Sequence, residues 1–221
     1  MARSADRDSR PAPPGADPAS ERGSTTLELI LGTSTELFAE RGYAAATMRE
    51  LADRAHLPLS SFYYYFRRKY DVLLAIMDEA QGRLEVGGEE AFDKSLEPDA
   101  QLRALVACHV RFHLENPGAA RVADGELRAL QAADRAQMVG RRDRYEKRFR
   151  DVLAAGAKSG CFAPDLDFSV AAMAILTMST SVIDWWRPDG PYSVEETAGL
   201  LGDFALGIAG CHSWVRSQST P

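Results

Sequence analysis

The amino-acid sequence predicts an all-α protein, with a small N-terminal domain of three helices and a larger C-terminal helical domain. Apolar residues recur every three or four positions through most of the chain, which is the spacing of one helix face, and no convincing strand pattern or internal repeat appears. The 221 residues, 45% hydrophobic and 26% charged, have the composition of a soluble globular protein. That length suits one large domain or a small domain joined to a larger one.

Charge and cysteine content narrow the function only slightly. The formal net charge is −6, so any charge that binds nucleic acid must be local. Cys108, Cys161 and Cys211 are widely spaced and show neither metal-ligand spacing nor a disulfide framework. We therefore expect thiols in a reducing cytoplasm, and no metal or other cofactor.

The chain ends are predicted to lie outside the folded domains. Residues 1–23 are rich in Pro, Ala, Asp and Arg and lack the apolar core of a secretory signal, so they are expected to form a disordered arm. Residues 217–221 are expected to be a flexible C-terminus. Between these two ends we expect two domains, the first at residues 24–73 and the second at residues 74–216.

The N-terminal domain contains one long helix and two short ones. Apolar residues from Leu27 to Phe38 form one helix face that ends before Gly42. Thr47 followed by Glu50 is a capping box that begins a second helix. A third helix covers residues 59–65, and a long fourth helix begins at about Arg68.

Two short helices joined by a tight link, behind a longer supporting helix, are typical of a helix-turn-helix. Phe62 and Phe66 anchor the third helix to the core, which turns most of Tyr63, Tyr64 and Tyr65 towards solvent. Aromatic area left in water is unusual, whereas phenol hydroxyls and ring edges suit contact with DNA. A cationic cluster follows directly, made of Arg67, Arg68 and Lys69. The alternative is a set of tyrosines packed in a helical core beside a solvated basic turn.

The stretch from about Leu27 to Leu73 resembles the DNA-binding domain of TetR-type transcriptional regulators. The resemblance rests on the order and spacing of Thr47, Leu51, Ala52, Phe62, Tyr63, Tyr64, Tyr65, Phe66, Lys69 and Leu73. It implies that Thr47 and Lys69 contact phosphates and that Tyr63 and Tyr65 face the DNA backbone. It places near the base edges Arg49, Leu59, Ser60, Ser61 and Tyr64. His56 stands where the family usually has glycine, so we expect it to adopt a positive φ.

Further helices are predicted at about 99–115, 118–130, 132–158, 167–186 and 194–215. The last two are apolar on nearly all sides, so each needs two packing partners. We expect a homodimer in which these helices form a four-helix interface; the alternative is a buried hairpin within a monomer. Residues 168–183 carry no charge but are shorter than the roughly 20 residues that span a bilayer, so no membrane partner is expected.

The C-terminal half resembles, more loosely, TetR-type regulators of fatty-acid and steroid catabolism that sense acyl-CoA thioesters, chiefly in the sequence 185–190. The expected lining of a ligand pocket consists of Phe112, Met138, Tyr145, Phe149, Met173, Met178 and Trp185, although each also suits an ordinary core. An arginine-rich stretch at 141–150 would attract CoA phosphates, or it is a solvated face balanced by its own carboxylates. His109 and His113 are spaced for a metal, but we expect satisfied or ligand-bonding histidines instead.

The leading hypothesis is a repressor that binds palindromic double-stranded operator DNA and is released by a small apolar effector. A regulator of drug efflux or secondary metabolism, or an activator, is the alternative within the same family. An enzyme is not expected, since no nucleophile elbow, phosphate loop or HExxH motif occurs. A non-specific architectural DNA binder would show a more basic charge balance.

Overall fold

The computed structural model describes residues 18–211, and the backbone of that part of the chain is helical without strands. The helices are α1 (Pro18–Arg41), α2 (Met48–Arg54), α3 (Leu59–Tyr65), α4 (Lys69–Glu90), α5 (Pro98–Glu115), α6 (Pro117–Gly125), α7 (Ala132–Ser159), α8 (Phe168–Thr180), α9 (Val182–Trp185) and α10 (Val194–Ile208), with a short 3₁₀ turn at Leu127–Ala129. The all-α prediction is confirmed. The predicted flexible C-terminus at 217–221 and most of the predicted arm lie outside the described residues.

The N-terminal helices pack around one apolar cluster. Ile30 and Phe38 of α1, Leu51 of α2 and Phe62 of α3 are buried together with the first half of α4. The side chain of Thr47 accepts a hydrogen bond from the Glu50 N–H, and the Glu50 carboxylate accepts one from the Thr47 N–H, so the predicted capping box forms.

The turn between α2 and α3 has the backbone that the sequence predicts. His56 has a φ of 53°, and it is the one residue other than glycine with a positive φ in the described part of the chain. The Leu57 N–H donates to the Ala52 carbonyl at 3.0 Å and closes the turn. Glycine would adopt this conformation at lower cost, so His56 is tolerated here at a modest energetic cost.

Helix α5 lies at the centre of the C-terminal domain and packs against α10, α7, α8 and α4. Its apolar face includes Leu102 and Leu105, which meet Phe149 of α7 and Ile175 of α8 in the largest buried cluster. Because α5 is enclosed by neighbours, its polar residues His109 and His113 are buried as well.

Helices α7 and α10 end in the same way. Gly160 and Gly210 have φ values of 80° and 65°, and the residue after each glycine donates its N–H back into the helix. Cys161 donates to the Gly156 carbonyl at 2.9 Å, and Cys211 donates to the Leu206 carbonyl at 3.0 Å. Both ends are therefore Schellman motifs, which need glycine for the left-handed residue.

Several predicted boundaries were wrong. Helix α1 begins at Pro18, although disorder was predicted through residue 23; proline is favoured at a helix start because the first N–H groups lack intrahelical acceptors. The predicted helix at 118–130 ends at Gly125. The helix predicted at 194–215 ends at Ile208, because Gly210 closes the Schellman motif, and residues 212–215 lie outside the described part of the chain.

The predicted helix at 167–186 is two helices, separated at Ser181. The Ser181 hydroxyl donates to the Met178 carbonyl at 3.0 Å, a local bond that competes with helix continuation. The segment Phe168–Trp185 has a mean hydropathy of 1.4 and, by length and composition, could cross a membrane; 28% of it is buried within the chain. That composition is weak evidence for a membrane span, because the helix of a protein interface is also apolar.

Candidate DNA-binding surface and ligand cavity

Helix α3 presents a polar aromatic face to solvent. Phe62 is fully buried and fixes the rotation of the helix, so that Tyr63 is 46% and Tyr64 84% exposed. Ser60 is exposed on the same helix, whereas Leu59, Ser61 and Tyr65 are half-buried. The Tyr64 and Tyr65 rings meet edge to face at 5.2 Å, which holds Tyr64 outward. The face can donate and accept hydrogen bonds and present ring edges to a groove.

Two more of the predicted contact residues lie at the start of α2. Thr47 and Arg49 are both exposed. The Thr47 hydroxyl donates to Glu50 Oε2 at 2.8 Å, and this hydrogen bond is the main reason that the pKa of the Glu50 carboxyl is lowered. The side chain of Thr47 is therefore held in one orientation at the exposed N-terminus of α2.

The ammonium group of Lys69, predicted to contact a phosphate, is hydrogen-bonded within the chain. Its ammonium donates to the carbonyls of Tyr43, Ala44 and Ala46 at 2.7, 3.2 and 2.6 Å and lies 4.4 Å from the centre of the Tyr43 ring. An ammonium has three N–H donors, and all three are engaged. These hydrogen bonds fix the loop that precedes α2 and engage the ammonium group for which a phosphate contact was predicted.

The two arginines of the cationic cluster also differ from each other. Arg68 pairs with Asp71 at 2.6 Å, and this hydrogen bond is the largest cause of the lowered pKa of the Asp71 carboxyl. Arg67 is exposed next to it. Of the three cations, Arg67 is the one best placed to meet a phosphate.

A cavity of about 150 Å³ lies in the C-terminal domain between α4, α5, α7 and α8. Eight of its ten lining residues carry polar side chains, namely Gln81, His109, His113, Asp124, Arg142, Tyr145, Glu146 and Thr180, and the other two are Leu84 and Leu176. Pockets for drug-sized ligands are usually about 300–1,000 Å³ and mostly apolar. This cavity is smaller than such a pocket, and it could be enlarged only if Leu84 or Leu176 moved.

Neutral hydrogen-bonding groups form the deepest part of the cavity. His109 Nε2 lies 3.0 Å from Thr180 Oγ1, and His109 Nδ1 lies 3.3 Å from the Tyr145 hydroxyl. Burial, with a smaller contribution from His113, lowers the pKa of His109 well below 6.5, so its imidazole is neutral at neutral pH. Burial also raises the pKa of Tyr145, which keeps the phenol protonated. These groups suit a neutral carbonyl or hydroxyl oxygen.

The rim of the cavity is ionic. His113 Nδ1 donates to the His109 carbonyl at 2.8 Å, and His113 Nε2 faces Asp124 Oδ2 at 3.4 Å. Arg142 lies 3.5 Å from the other Asp124 oxygen and donates to the Ala123 carbonyl. The two histidine rings lie 4.3 Å apart. They act as hydrogen-bonding groups of the cavity, as the sequence predicted.

The structure does not gather the seven predicted ligand residues into one site. Only Tyr145 lines the central cavity. Met138 is buried in the N-terminal cluster, and Phe149 is buried in the core of the C-terminal domain. Met178 packs partly against that core, and Phe112 lies beside a groove between α4 and α5. Met173 and Trp185 are 61% and 51% exposed. The helical period and the side-chain types correctly indicated apolar helix faces. Such a face can pack in the core, line a groove or lie on the surface, and the sequence pattern is the same in all three cases.

The arginine-rich part of α7 is a face balanced by carboxylates. Arg141 contacts Glu85 and Asp78 of α4 at 2.8 and 3.1 Å. Two further ion pairs lie within α7, Lys147–Asp151 and Arg150–Glu146. Two others join α7 to neighbouring helices, Arg142–Asp124 and Arg148–Glu89. Of the two interpretations left open by the sequence, the solvated, internally paired face fits the structure better than a phosphate-binding surface.

Most residues that line the cavity were not predicted from the sequence. Gln81 and Thr180 lie on helix faces that are otherwise apolar, and an isolated polar residue at such a position is the signal that would have found them. Arg142, Asp124 and Glu146 carried no such signal, because they look like surface charges in a charged segment.

Two family descriptions match this chain. "Bacterial regulatory proteins, tetR family" matches residues 30–76, and "Tetracyclin repressor-like, C-terminal domain" matches residues 95–209. The second covers more than half of the chain. The protein belongs to the TetR family. It is a helix-turn-helix transcriptional regulator rather than an enzyme, and the predicted resemblance is confirmed.

Relatives of this TetR-family protein cover nearly its full length. The HTH-type transcriptional repressor KstR2 of Rhodococcus jostii is 28% identical over 91% of this chain and 99% of its own. The fatty acid metabolism regulator protein of Bacillus subtilis is 24% identical over 83% of this chain and 94% of its own. The crystal structure of a TetR-family bacterial regulatory protein from Rhodococcus RHA1 is 28% identical, covers 84% of this chain and 97% of its own, and has a TM-score of 0.79.

The TetR-family protein also has an exposed apolar face on α8 and α10. Val170 and Met173 of α8 are 62% and 61% exposed, and Phe204 and Leu200 of α10 are 53% and 40% exposed. The opposite sides of both helices are buried in the chain's own core. Large exposed apolar patches on soluble proteins usually mark sites of association.

Proposed function

We propose that this protein is a repressor that binds palindromic operator DNA as a homodimer and is released by an apolar effector of lipid or steroid catabolism. The protein acts in the cytoplasm, where its operator lies. The observation that carries the proposal is the exposed tyrosine face of α3 on a buried phenylalanine anchor, with a polar cavity in the second domain.

DNA contact is assigned to exposed residues of α2 and α3. Ser60 and Tyr64 lie where base edges are read, with Leu59 and Ser61 at the margin of that surface. Arg49 joins them from α2. Phosphate contacts come from Thr47, Tyr63, Tyr65 and Arg67, the last taking the place first expected for Lys69.

The homodimer is proposed to form through α8 and α10, as a four-helix interface. The sides of these helices that carry Val170, Met173, Leu200 and Phe204 have no apolar partner within the described part of the chain. A twofold dimer places two α3 helices against successive major-groove half-sites, which is why the operator should be palindromic.

The effector is proposed to place a carbonyl oxygen between His109, Tyr145 and Thr180, with its apolar part displacing Leu84 and Leu176. An acyl-CoA thioester has such a carbonyl and a long apolar chain. The relatives named as KstR2 and as a fatty acid metabolism regulator support a lipid or steroid source. Because Arg141, Arg142, Arg148 and Arg150 of α7 are already paired with carboxylates, we assign the affinity to the acyl part rather than to the CoA phosphates.

Release of DNA is proposed to pass through α4. This helix begins at Lys69, next to the recognition helix, and its residues Gln81 and Leu84 line the cavity. Arg141 fixes α4 to α7, and the Tyr70 hydroxyl contacts Asp134 at the start of α7. A ligand that moves Leu84 therefore tilts α4 and changes the distance between the two α3 helices.

The test is a fluorescence-anisotropy titration of the protein onto DNA from the region upstream of its own gene, at fixed salt and with competitor DNA. We expect competitor-resistant binding that long-chain acyl-CoA weakens. His109→Gln should keep operator affinity but lose the response to acyl-CoA, and Val86→Asp, on an exposed part of α4, is the matched control with both properties intact. Absence of sequence-preferring binding, also after an unbiased operator selection, would overturn the repressor proposal.

The effector and the dimer are tested separately. Operator binding that no acyl-CoA or free fatty acid weakens would exclude the lipid effector and favour a regulator of efflux or secondary metabolism. For the dimer, Phe204→Asp should shift the protein from dimer to monomer in sedimentation analysis. Val86→Asp should leave the protein dimeric, because Val86 is similarly exposed but lies outside the proposed interface. A dimeric Phe204→Asp variant would contradict the α8–α10 interface.

A further inference from the structure

Two cysteines distant in sequence meet at the far end of the C-terminal domain, apart from the cavity and the DNA-binding surface. The Sγ atoms of Cys161 and Cys211 and a carboxylate oxygen of Asp99 all lie within 4.8 Å of one another. Among residues 18–211, no other group of three His, Cys, Asp or Glu side chains comes together in this way. Nothing in the sequence indicates this cluster, since the two cysteines are fifty positions apart.

The backbone fixes both thiols. Cys161 and Cys211 each follow a left-handed glycine at the end of a Schellman motif, where the side chain of this position normally packs inward. The Ala163 N–H donates to the Ala209 carbonyl at 3.0 Å and ties the two helix ends together. Asp99 lies in the first turn of α5, opposite both.

We propose that Cys161, Cys211 and Asp99 form a binding site for one thiophilic divalent cation, for which Zn²⁺ is the physiological candidate. Two thiolates and a carboxylate are ligands that Zn²⁺ prefers, and they leave the fourth tetrahedral position to water. Two sulfurs on one tetrahedral zinc lie about 3.8 Å apart, as follows from Zn–S bonds of about 2.3 Å. The ligands therefore need to move by no more than about 1 Å.

The electrostatics of the cluster suit a cation. The two Sγ atoms and the Asp99 carboxylate oxygen lie within 4.8 Å of one another, and each of these groups is anionic when it loses its proton. Three groups that become anionic are thus crowded together, and a bound cation would remove their mutual repulsion.

A bound cation would add a direct link between three elements that already pack together and share hydrogen bonds and ion pairs. Asp99 belongs to α5, Cys161 follows α7, and Cys211 follows α10, which is proposed to form the dimer interface. The ion would hold the end of α10 against the central helix.

The experiment uses the full-length chain, stripped of metal and kept reduced with a phosphine. Co²⁺ is titrated as a spectroscopic probe, because thiolate ligands give charge-transfer absorption and tetrahedral geometry gives intense visible bands; Zn²⁺ is then added to displace it. The variants are Cys161→Ser and Asp99→Asn, and Cys108→Ser is the matched control, because Cys108 is half-buried on another face of the domain, beside Gly87.

We expect wild type and Cys108→Ser to bind one Co²⁺ per chain with thiolate charge transfer, and Zn²⁺ to displace it. Cys161→Ser should bind at least ten-fold more weakly and lose about half of the charge-transfer intensity. Asp99→Asn should weaken binding while keeping the intensity per bound ion, which keeps the test decisive if the serine variant is poorly folded by circular dichroism. No charge transfer, an equal loss in Cys108→Ser, or a Cys161–Cys211 disulfide that persists in the reduced sample and takes no metal would overturn the proposal.

Discussion

Replacing Lys69 with methionine separates a structural role from a DNA-contact role at one position. Methionine keeps an unbranched stem of similar length but removes the ammonium. In the structure, that ammonium donates to three carbonyls of the loop before α2. If this is its role, Lys69→Met destabilises the fold and leaves the number of phosphate contacts unchanged.

The magnitude follows from the three hydrogen bonds. Those to Tyr43 and Ala46 are partly buried, and that to Ala44 is exposed, so water replaces it at little cost. A hydrogen bond to a charged group contributes about 1.5–3 kcal/mol, and the lower end applies because the site is partly solvated. The two partly buried bonds give a loss of about 3 kcal/mol per protomer in the free energy of unfolding.

The assay combines urea unfolding, followed by circular dichroism, with operator affinity measured over a range of salt concentrations. Each phosphate contact contributes about 0.9 to the slope of log K against log salt, so a dimer that loses one contact per protomer loses about 1.8. We expect Lys69→Met to keep the wild-type slope. Arg67→Ala should do the reverse, with a slope smaller by about 1.8 and stability within about 0.5 kcal/mol of wild type. A Lys69→Met variant of wild-type stability with a reduced slope would refute the structural role.

Three further predictions follow from single positions. Tyr64→Ala should lower operator affinity at least ten-fold, because a direct contact to a base contributes about 1–3 kcal/mol, without changing the unfolding midpoint, since this side chain is 84% exposed; unchanged affinity would remove it from the interface. Burial lowers the pKa of His109, so the unfolded chain binds more protons than the folded chain below about pH 6.5, and the free energy of unfolding decreases as the pH falls. Between pH 7.5 and 5.5 wild type should lose roughly 1 kcal/mol more than His109→Gln in urea unfolding, and parallel losses would contradict a buried neutral imidazole. Gly156→Ala should cost about 1–3 kcal/mol, because a Cβ there overlaps the buried Phe162 ring, whereas Gly32→Ala, with open space around it in the interior of α1, should gain up to about 1 kcal/mol in thermal unfolding.

Elements with a local cause could be predicted from the sequence. The capping box at Thr47, the left-handed His56 and the glycine ends of α1 and α7 each depend on residues within a few positions, and all are present in the structure. The exposed face of α3 was predictable for a related reason. Once Phe62 is buried, the helical period determines which way Tyr64 points.

Local signals were therefore enough to predict the helical class, the order of most helices and the exposed face of α3, because caps and hydrophobic period act within one or two helix turns. Which distant groups meet became visible only in the folded chain. Lys69 binds carbonyls about 25 residues earlier, Tyr145 joins His109 in a cavity rather than joining Met138, and Cys161 meets Cys211. An apolar or titratable side chain looks the same in the sequence whichever neighbour it finds, since that neighbour is selected by the packing of whole helices against one another.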